Sequence, residues 1–416
     1  MESCIAAIVD AMINREYETA MAQSSSNIQP SLSPVLSELL LDWYDKERRI
    51  LPWREDPTPY HIWVSEIMLQ QTRVEAVIPY YKRFLSELPD VAALSKAPED
   101  RLLKLWEGLG YYSRVRNMQK AARQIINEYD GIIPSDPKEL EKLSGIGSYT
   151  AAAIASIAYQ VPVVSIDGNL LRVFARLCAY TESIQTPAAK KLAGQSFSSV
   201  LNQSRPGDMN QALMDLGATV CLPNGSPNCE RCPLCSVCAA HQAGLELQIP
   251  KAKEKAVRPI RKCTVLLIRR GDTVLLHKRP EKGLLAGLYE FPNADGTLTE
   301  SEVRSLLISS GMTVSGIRPL PPARHVFTHL IWEMTAFEVM VSDCGEACSD
   351  TDFSSDCDSL CSEAASSAGC DNLSSEADSS ASFAVMIKKE CSFRSIETVK
   401  KEAALPSAFS AYSKIL

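Results

Sequence analysis

Apolar residues recur at three- to four-residue spacing almost continuously from Ser33 to about Ala243, and beyond Cys263 they gather into short runs bounded by turn residues. The first pattern predicts helices and the second strands. Helices are predicted at Val35–Tyr44, Ile62–Gln71, Glu75–Leu88, Glu99–Trp106, Arg114–Tyr129, Pro137–Leu143, Thr150–Ala158, Leu170–Ala179, Ala188–Val200 and Asp208–Leu216, separated by short loops carrying Gly or Pro. A polar connector, Pro250–Arg261, then holds Lys251, Lys253, Lys255, Arg258 and Arg261. After it, Cys263–Ile268 and Thr273–His277 flank Gly271-Asp272, the signature of a β-hairpin. Further strands are predicted at Gly287–Phe291, His325–Leu330, Ile331–Met340 and Phe383–Ile387, with helices at Thr299–Ser309 and near Pro406–Tyr412.

Residues 342–382, dominated by Ser, Asp, Ala and Cys, hold too little apolar surface to order themselves, and a strand pattern resumes after them. They read as an insertion, not a tail. Residues 1–32 also read as disordered. The predicted organisation is an all-α domain over 33–245, a basic connector over 246–262, and an α+β domain over 263–416 interrupted by the acidic insertion 342–382.

With 416 residues, 45% of them hydrophobic, the chain can build two or three full cores. No apolar stretch approaches the roughly 20 residues of a membrane span. Met1–Ala20 carries Asp10, Glu16 and Glu18, which secretory and transit signals avoid, so a soluble intracellular protein is expected. The net charge of −7 argues against nucleic-acid binding until it is located. Residues 343–378 hold ten acidic and no basic residues, so the remainder carries +3; leaving out residues 1–30, with four acids against Arg15, raises it to about +6. Five of the 14 cysteines fall at 221, 229, 232, 235 and 238, and five more (344, 348, 357, 361, 370) lie in the insertion. An intracellular chain keeps few disulfides, so the first group reads as a metal site, its soft thiolates suiting iron–sulfur or zinc alike.

Between Leu143 and Thr150 the sequence Leu-Ser-Gly-Ile-Gly-Ser-Tyr-Thr places two glycines between an apolar run and an alanine-rich helix. The turn at Gly145 and Gly147 exposes amides at a helix N-terminus, a seat for a phosphate. Val161–Ile166 then delivers Asp167 beside it, followed by Gly168-Asn169. An anion seat and a carboxylate on one frame suggest DNA chemistry.

This hairpin and its downstream Asp resemble the helix-hairpin-helix DNA glycosylase superfamily, and within it the MutY-like adenine DNA glycosylases. Four further blocks carry the resemblance: Leu51-Pro52-Trp53-Arg54, Ser65–Thr72 (Ser-Glu-Ile-Met-Leu-Gln-Gln-Thr), Gly108–Arg114 (Gly-Leu-Gly-Tyr-Tyr-Ser-Arg) and Asn210–Gly217 (Asn-Gln-Ala-Leu-Met-Asp-Leu-Gly). The resemblance implies a monofunctional enzyme that flips out and removes adenine mispaired with 8-oxoguanine, or with guanine, in duplex DNA. Glu66 matches the family's general acid, which protonates the adenine and must sit in a poorly solvated pocket. Asp167 matches the carboxylate that answers the sugar's developing positive charge, a two-carboxylate logic shared with glycoside hydrolysis. Asn169 would hold Asp167 or water. Tyr149 stands where the endonuclease III-like relatives carry a Schiff-base lysine, and a phenol forms no imine. Gln70 and Tyr111 match residues that fill the gap left by a flipped base. Arg49, Arg54 and Gln211 match residues of the adenine pocket; Thr72, Gly145 and Gly147 would also meet DNA.

The same resemblance assigns Cys221, Cys229, Cys232 and Cys238 to a [4Fe–4S] cluster, with seven residues between the first two where the family has six. Cys238 is preferred to Cys235 because its separation from Cys232 matches the family's. The last domain resembles the Nudix-like domain of these enzymes and lacks the Arg-Glu-x-x-Glu-Glu helix of Nudix hydrolases. Its Phe327-Thr328-His329 matches the Phe-Ser-His lesion loop, and Thr keeps the hydroxyl. Expected partners are duplex DNA with A:8-oxoG or A:G mispairs, alongside unspecified repair and replication proteins, with no membrane, a monomeric chain and a nuclear location with a mitochondrial share. Two rival readings are an endonuclease III-like glycosylase/AP lyase, which Tyr149 argues against, and a non-catalytic DNA-binding metal scaffold.

Overall fold

The computed structural model describes residues 32–251, 257–342, 383–387 and 389–416. Nearly all of the segments expected to be disordered, 1–32 and 342–382, and the middle of the basic connector lie outside the described residues. Two compact units emerge: residues up to Ser95 with Asn117–Glu254, and Lys96–Arg116 with Lys255–Leu416.

The regular elements of the first unit are all helical among its described residues, and five helices frame its site: α1 (Leu36–Glu47), α2 (Pro59–Leu69), α3 (Ser148–Tyr159), α4 (Gly168–Leu177) and α5 (Pro206–Thr219). Helix α2 starts on Thr58, whose hydroxyl accepts from His61 N, with Pro59 pre-set for the first turn. Every residue from Ile62 to Met68 is buried, so α2 is a central helix covered on all sides. Helix α3 carries Ala151, Ala152, Ala153 and Ala155, all buried, and such small side chains let its neighbours come close. A Cβ on Gly207 of α5 would lie 2.6 Å from the Ser156 carbonyl oxygen of α3. Below α4, Leu40, Phe174, Phe197 and Leu213 belong to one core.

The second unit is built on a seven-stranded mixed sheet of β1 (Ile260–Arg270), β2 (Thr273–Lys278), β3 (Tyr289–Glu290), β4 (Asn293–Asp295), β5 (Val314–Val326), β6 (Ile331–Val341) and β7 (Cys391–Ser395). The main path runs β3-β2-β1-β6-β5, with β4 on β1 and β7 on β2. Strands β1 and β6 are parallel from Ile260↔Ile331 to Arg269↔Met340, while β5 and β6 form an antiparallel hairpin. Period-two alternation divides β1 between two cores: Cys263, Val265 and Leu267 pack with Phe291, Trp332 and Phe409, and Leu266 and Ile268 with Leu307, Val339 and Phe383. These elements bear out an all-α unit with an α+β unit.

Three details differ from the sequence-based expectation. Residues 383–387 are helical, not a strand; Phe383 and Ile387, four apart, share one buried face. Strand β5 begins at Val314, well before His325, because Pro319, Pro321 and Pro322 disguise it. They are tolerated since β5 ends the strand order and is irregular between Leu320 and Ala323. The strand expected over His325–Leu330 is cut short: β5 stops at Val326 and β6 starts at Ile331, so Phe327–Leu330 is a turn, closed by Phe327 N donating to Leu330 O at 2.9 Å.

Candidate active site and cysteine pocket

Helices α2, α3, α4 and α5 converge on a cavity of about 360 Å³ lined by Glu66, Tyr149, Asp167, Asn169, Arg49, Arg54, Thr72 and Gln211, with Trp53, Leu69 and Met214 among its apolar walls. Eight residues singled out from sequence thus meet in one space. Its volume suits a small aromatic ligand.

Glu66 is only 6% exposed although it is a carboxylate on a helix. Burial pushes its carboxyl up to about 7; the Tyr149 hydroxyl, which donates to Oε2 at 2.6 Å, and Arg54 pull it down, and Asp167 pushes it further up. Tyr149 reaches this position from the first turn of α3, directly after the glycine turn. Burial first, then Glu66 and Asp167, raise its phenol well above the ordinary value, so it stays a donor.

Asp167 caps α4: Oδ1 accepts from Leu170 N at 2.7 Å, and Oδ2 from Asn169 Nδ2 at 2.8 Å. Burial raises its carboxyl, and these hydrogen bonds together with Arg172 oppose the rise. The loop before it is pinned by Asn210 of α5, which accepts from Ser165 N and donates to the Val163 carbonyl and the Ser156 hydroxyl. Asn169 is held in turn by Arg172 Nη2 at 2.9 Å, and the same guanidinium binds the carbonyls of Gly217 and Cys221.

Arg49 and Arg54 are gathered by Asp215, which is 1% exposed. Arg49 Nε and Arg54 Nη2 reach Oδ1 at 2.7 and 3.0 Å, and Arg54 Nη1 reaches Oδ2 at 2.7 Å. Sequence reading missed Asp215 and Asn210 as positioning groups, although both lie in a quoted block. The signal was there: Asp215 follows Gln211 by four residues and so shares its helix face.

Other expected site residues lie elsewhere. Gln70, at the end of α2, approaches Thr150 Oγ1 at 3.4 Å, and Gln71 after it has a left-handed backbone. Gly145 turns with φ of +77°, and a Cβ there would lie 2.6 Å from Asn117 Cβ, so this turn needs glycine. In the second unit, Tyr111, half exposed with φ of +47°, hydrogen-bonds through its hydroxyl to Thr328. Arg258 Nε donates to the Thr328 carbonyl at 3.0 Å. Phe327 packs between His325 and Trp332, leaving Thr328 and His329 exposed at the turn.

Cys221, Cys229, Cys232, Cys235 and Cys238 line a separate pocket with Arg176, His241 and Glu246, and all five thiols are unpaired. Arg176 Nη1 lies 3.1 Å from Cys221 Sγ. Cys229, His241 and Glu246 bring potential ligand atoms within 4.8 Å of one another. His241 and Glu246 also bond each other at 2.9 Å. This donor set suits a soft metal centre, and the neighbouring guanidinium suits one of negative charge.

The chain matches the HhH-GPD superfamily base excision DNA repair proteins over residues 64–198 and the NUDIX domain over residues 264–364. It is 36% identical over 356 residues to an adenine DNA glycosylase of Mus musculus, covering 70% of this chain and 68% of that one. An adenine DNA glycosylase of Buchnera aphidicola is 35% identical over 298 residues, covering 71% and 83%. Among solved structures, a thermostable thymine-DNA glycosylase has a TM-score of 0.46 at 28% identity, covering 50% of this chain and 96% of that one.

Proposed function

Since the chain belongs to the adenine DNA glycosylases, base excision repair proteins built here from an HhH-GPD unit and a NUDIX unit, we propose how its residues divide the work. The observation that carries the reading is a buried Glu66 whose carboxyl lies near neutrality, in one cavity with Asp167. Glu66 holds a proton and delivers it to N7 of the flipped adenine, making the base a better leaving group. Asp167, ionised and steadied by Asn169, faces the positive charge that grows on the deoxyribose, and water completes the hydrolysis. Tyr149 orients Glu66 and offers no amine, so the strand is left uncut. Arg49, Arg54, Thr72 and Gln211 read the base, with Asp215 holding both guanidinium groups in place.

One close approach makes this arrangement testable from outside the cavity. A Cβ on Gly217 would lie 2.5 Å from Asn169 Cβ. Gly217→Ala is expected to displace Asn169 from Asp167 and slow single-turnover adenine release by roughly 10- to 100-fold, with duplex affinity in a binding titration unchanged.

The Phe327-Thr328-His329 turn reads 8-oxoguanine opposite the adenine through the Thr328 hydroxyl, and Tyr111 and Gln70 fill the gap in the duplex. The support is the exposure of this turn and its grip by Tyr111 and Arg258. Cys221, Cys229, Cys232 and Cys238 hold a [4Fe–4S] cluster, which orders the loop between them. Residues 33–245 and 263–416 act as glycosylase and lesion-reading domains, and we place the enzyme in the nucleus with a mitochondrial share. Among the described residues no helix is long and apolar enough to cross a membrane.

Single-turnover excision on duplexes with adenine opposite 8-oxoguanine, guanine and cytosine tests the lesion reading. Wild type should be fastest opposite 8-oxoguanine, and Thr328→Ala should lose about 10-fold of that preference, the value of one hydrogen bond. Equal wild-type rates on all three duplexes would sink the role of residues 327–329.

A further inference from the structure

The cysteine pocket holds five thiols where a tetrathiolate cluster needs four. The local backbone shows why the fifth is not simply a bystander. Cys229–Arg231 and Cys235–Val237 are two successive 3₁₀ turns, each opened by a cysteine and followed by another. Cys232 N donates to Cys229 O at 3.1 Å, and Cys238 N to Cys235 O at 3.3 Å. The closing cysteines have nearly the same extended backbone, φ and ψ of −81° and 122° at Cys232 and −92° and 106° at Cys238. The loop thus presents the same two-thiol knuckle twice, and Leu234 between the knuckles is buried in the core and anchors both.

All five cysteines line one pocket. Cys238 Sγ is committed as a donor to the Arg176 carbonyl at 3.4 Å, a bond it must give up to become a thiolate ligand. Cys235 Sγ makes no such hydrogen bond among the described residues, so ligation costs it none. The two cysteines lie within one turn of chain, and only Cys238 gives up a hydrogen bond on ligation.

We propose that the fourth ligand position is shared: the cluster is held by Cys221, Cys229 and Cys232 together with either Cys238 or Cys235. Exchange needs no oxidant. With a cluster bound, Cys235 would ligate as a thiolate after giving up its proton, and the displaced Cys238 would take one up, so protons and charge balance. The outgoing thiol returns to the Arg176 carbonyl. Cys235 thereby keeps the cluster whole if Cys238 is lost to modification. The proposal rests on the [4Fe–4S] reading above.

Iron and acid-labile sulfide content of the purified full-length protein tests both statements separately. Wild type without iron and sulfide would end the cluster reading itself. With a loaded wild type, Cys235→Ser and Cys238→Ser should each retain nearly full iron, Cys229→Ser should lose it, and the double variant Cys235→Ser/Cys238→Ser should lose it equally. Each single variant should also leave the oxidised cluster with one electron paramagnetic resonance component in place of the two expected of wild type. Loss of iron in Cys238→Ser as complete as in the double variant overturns the proposal. Should that variant fail to fold, slow iodoacetamide labelling of loaded wild type, read by peptide mapping, decides: among the five pocket cysteines, one label divided between Cys235 and Cys238 is expected. A pocket label confined to either of the two shows a fixed ligand set and overturns it.

Discussion

Glu66→Gln is expected to slow single-turnover adenine release by on the order of 10²- to 10⁴-fold while making the folded protein more stable above pH 7. The glutamine keeps the size of the side chain and an oxygen for the Tyr149 hydroxyl, and loses only the proton and the charge. Burial is what raises the carboxyl from 4.5 to about 7. A folded-state value above the unfolded one means that the native protein binds the proton more tightly. Ionised Glu66 therefore opposes folding above pH 7, the penalty shrinks as pH falls from 7 towards 4.5, and below 4.5 it is gone. Its full size is on the order of 3 kcal/mol. Chemical denaturation at alkaline pH should show the variant gaining stability, and the gain should vanish in acid. Loss of activity with a gain in stability would separate a group strained for catalysis from one that merely packs.

Asp167→Asn is expected to cost on the order of 10²- to 10³-fold in the same assay with little change in stability. Asparagine caps a helix about as well as aspartate, so the Leu170 amide keeps an acceptor and α4 keeps its start. What disappears is the negative charge opposite the sugar and the acceptor for Asn169 Nδ2, a loss offset by removing a charge from a buried site. The two substitutions should also reshape the pH dependence in opposite ways. Wild-type activity needs Glu66 protonated and Asp167 ionised, so it should fall above pH 7 and fall again in acid as Asp167 takes up a proton. Asp167→Asn should remove the acid limb from the residual activity and leave the alkaline one.

Much of this site was legible along the chain because each group sits within a local pattern. Glu66 lies in a helix too apolar for an exposed carboxylate, Tyr149 opens the helix after a glycine turn, and Asp167 caps the helix that follows. Asp215 was not legible as a clamp, because its partners Arg49 and Arg54 lie more than 160 residues earlier and only packing of α5 brings them together. Tyr111 and Thr328 were each legible, but their hydrogen bond across 217 positions was not. In the NUDIX unit, proline concealed an edge strand, and five apolar residues at 383–387 suited either period until a core selected residues four apart. Local chemistry is written locally; pairings across the chain are set by the fold.

The most direct measurement is the single-turnover rate of adenine release from an A:8-oxoG duplex, followed from well below to well above pH 7 for wild type and Glu66→Gln. The expected result is a wild-type rate that declines through about pH 7 and a variant rate that is low throughout, without that decline. A wild-type rate unchanged across pH 7, or a variant as fast as wild type, would contradict proton donation by Glu66 to the departing base.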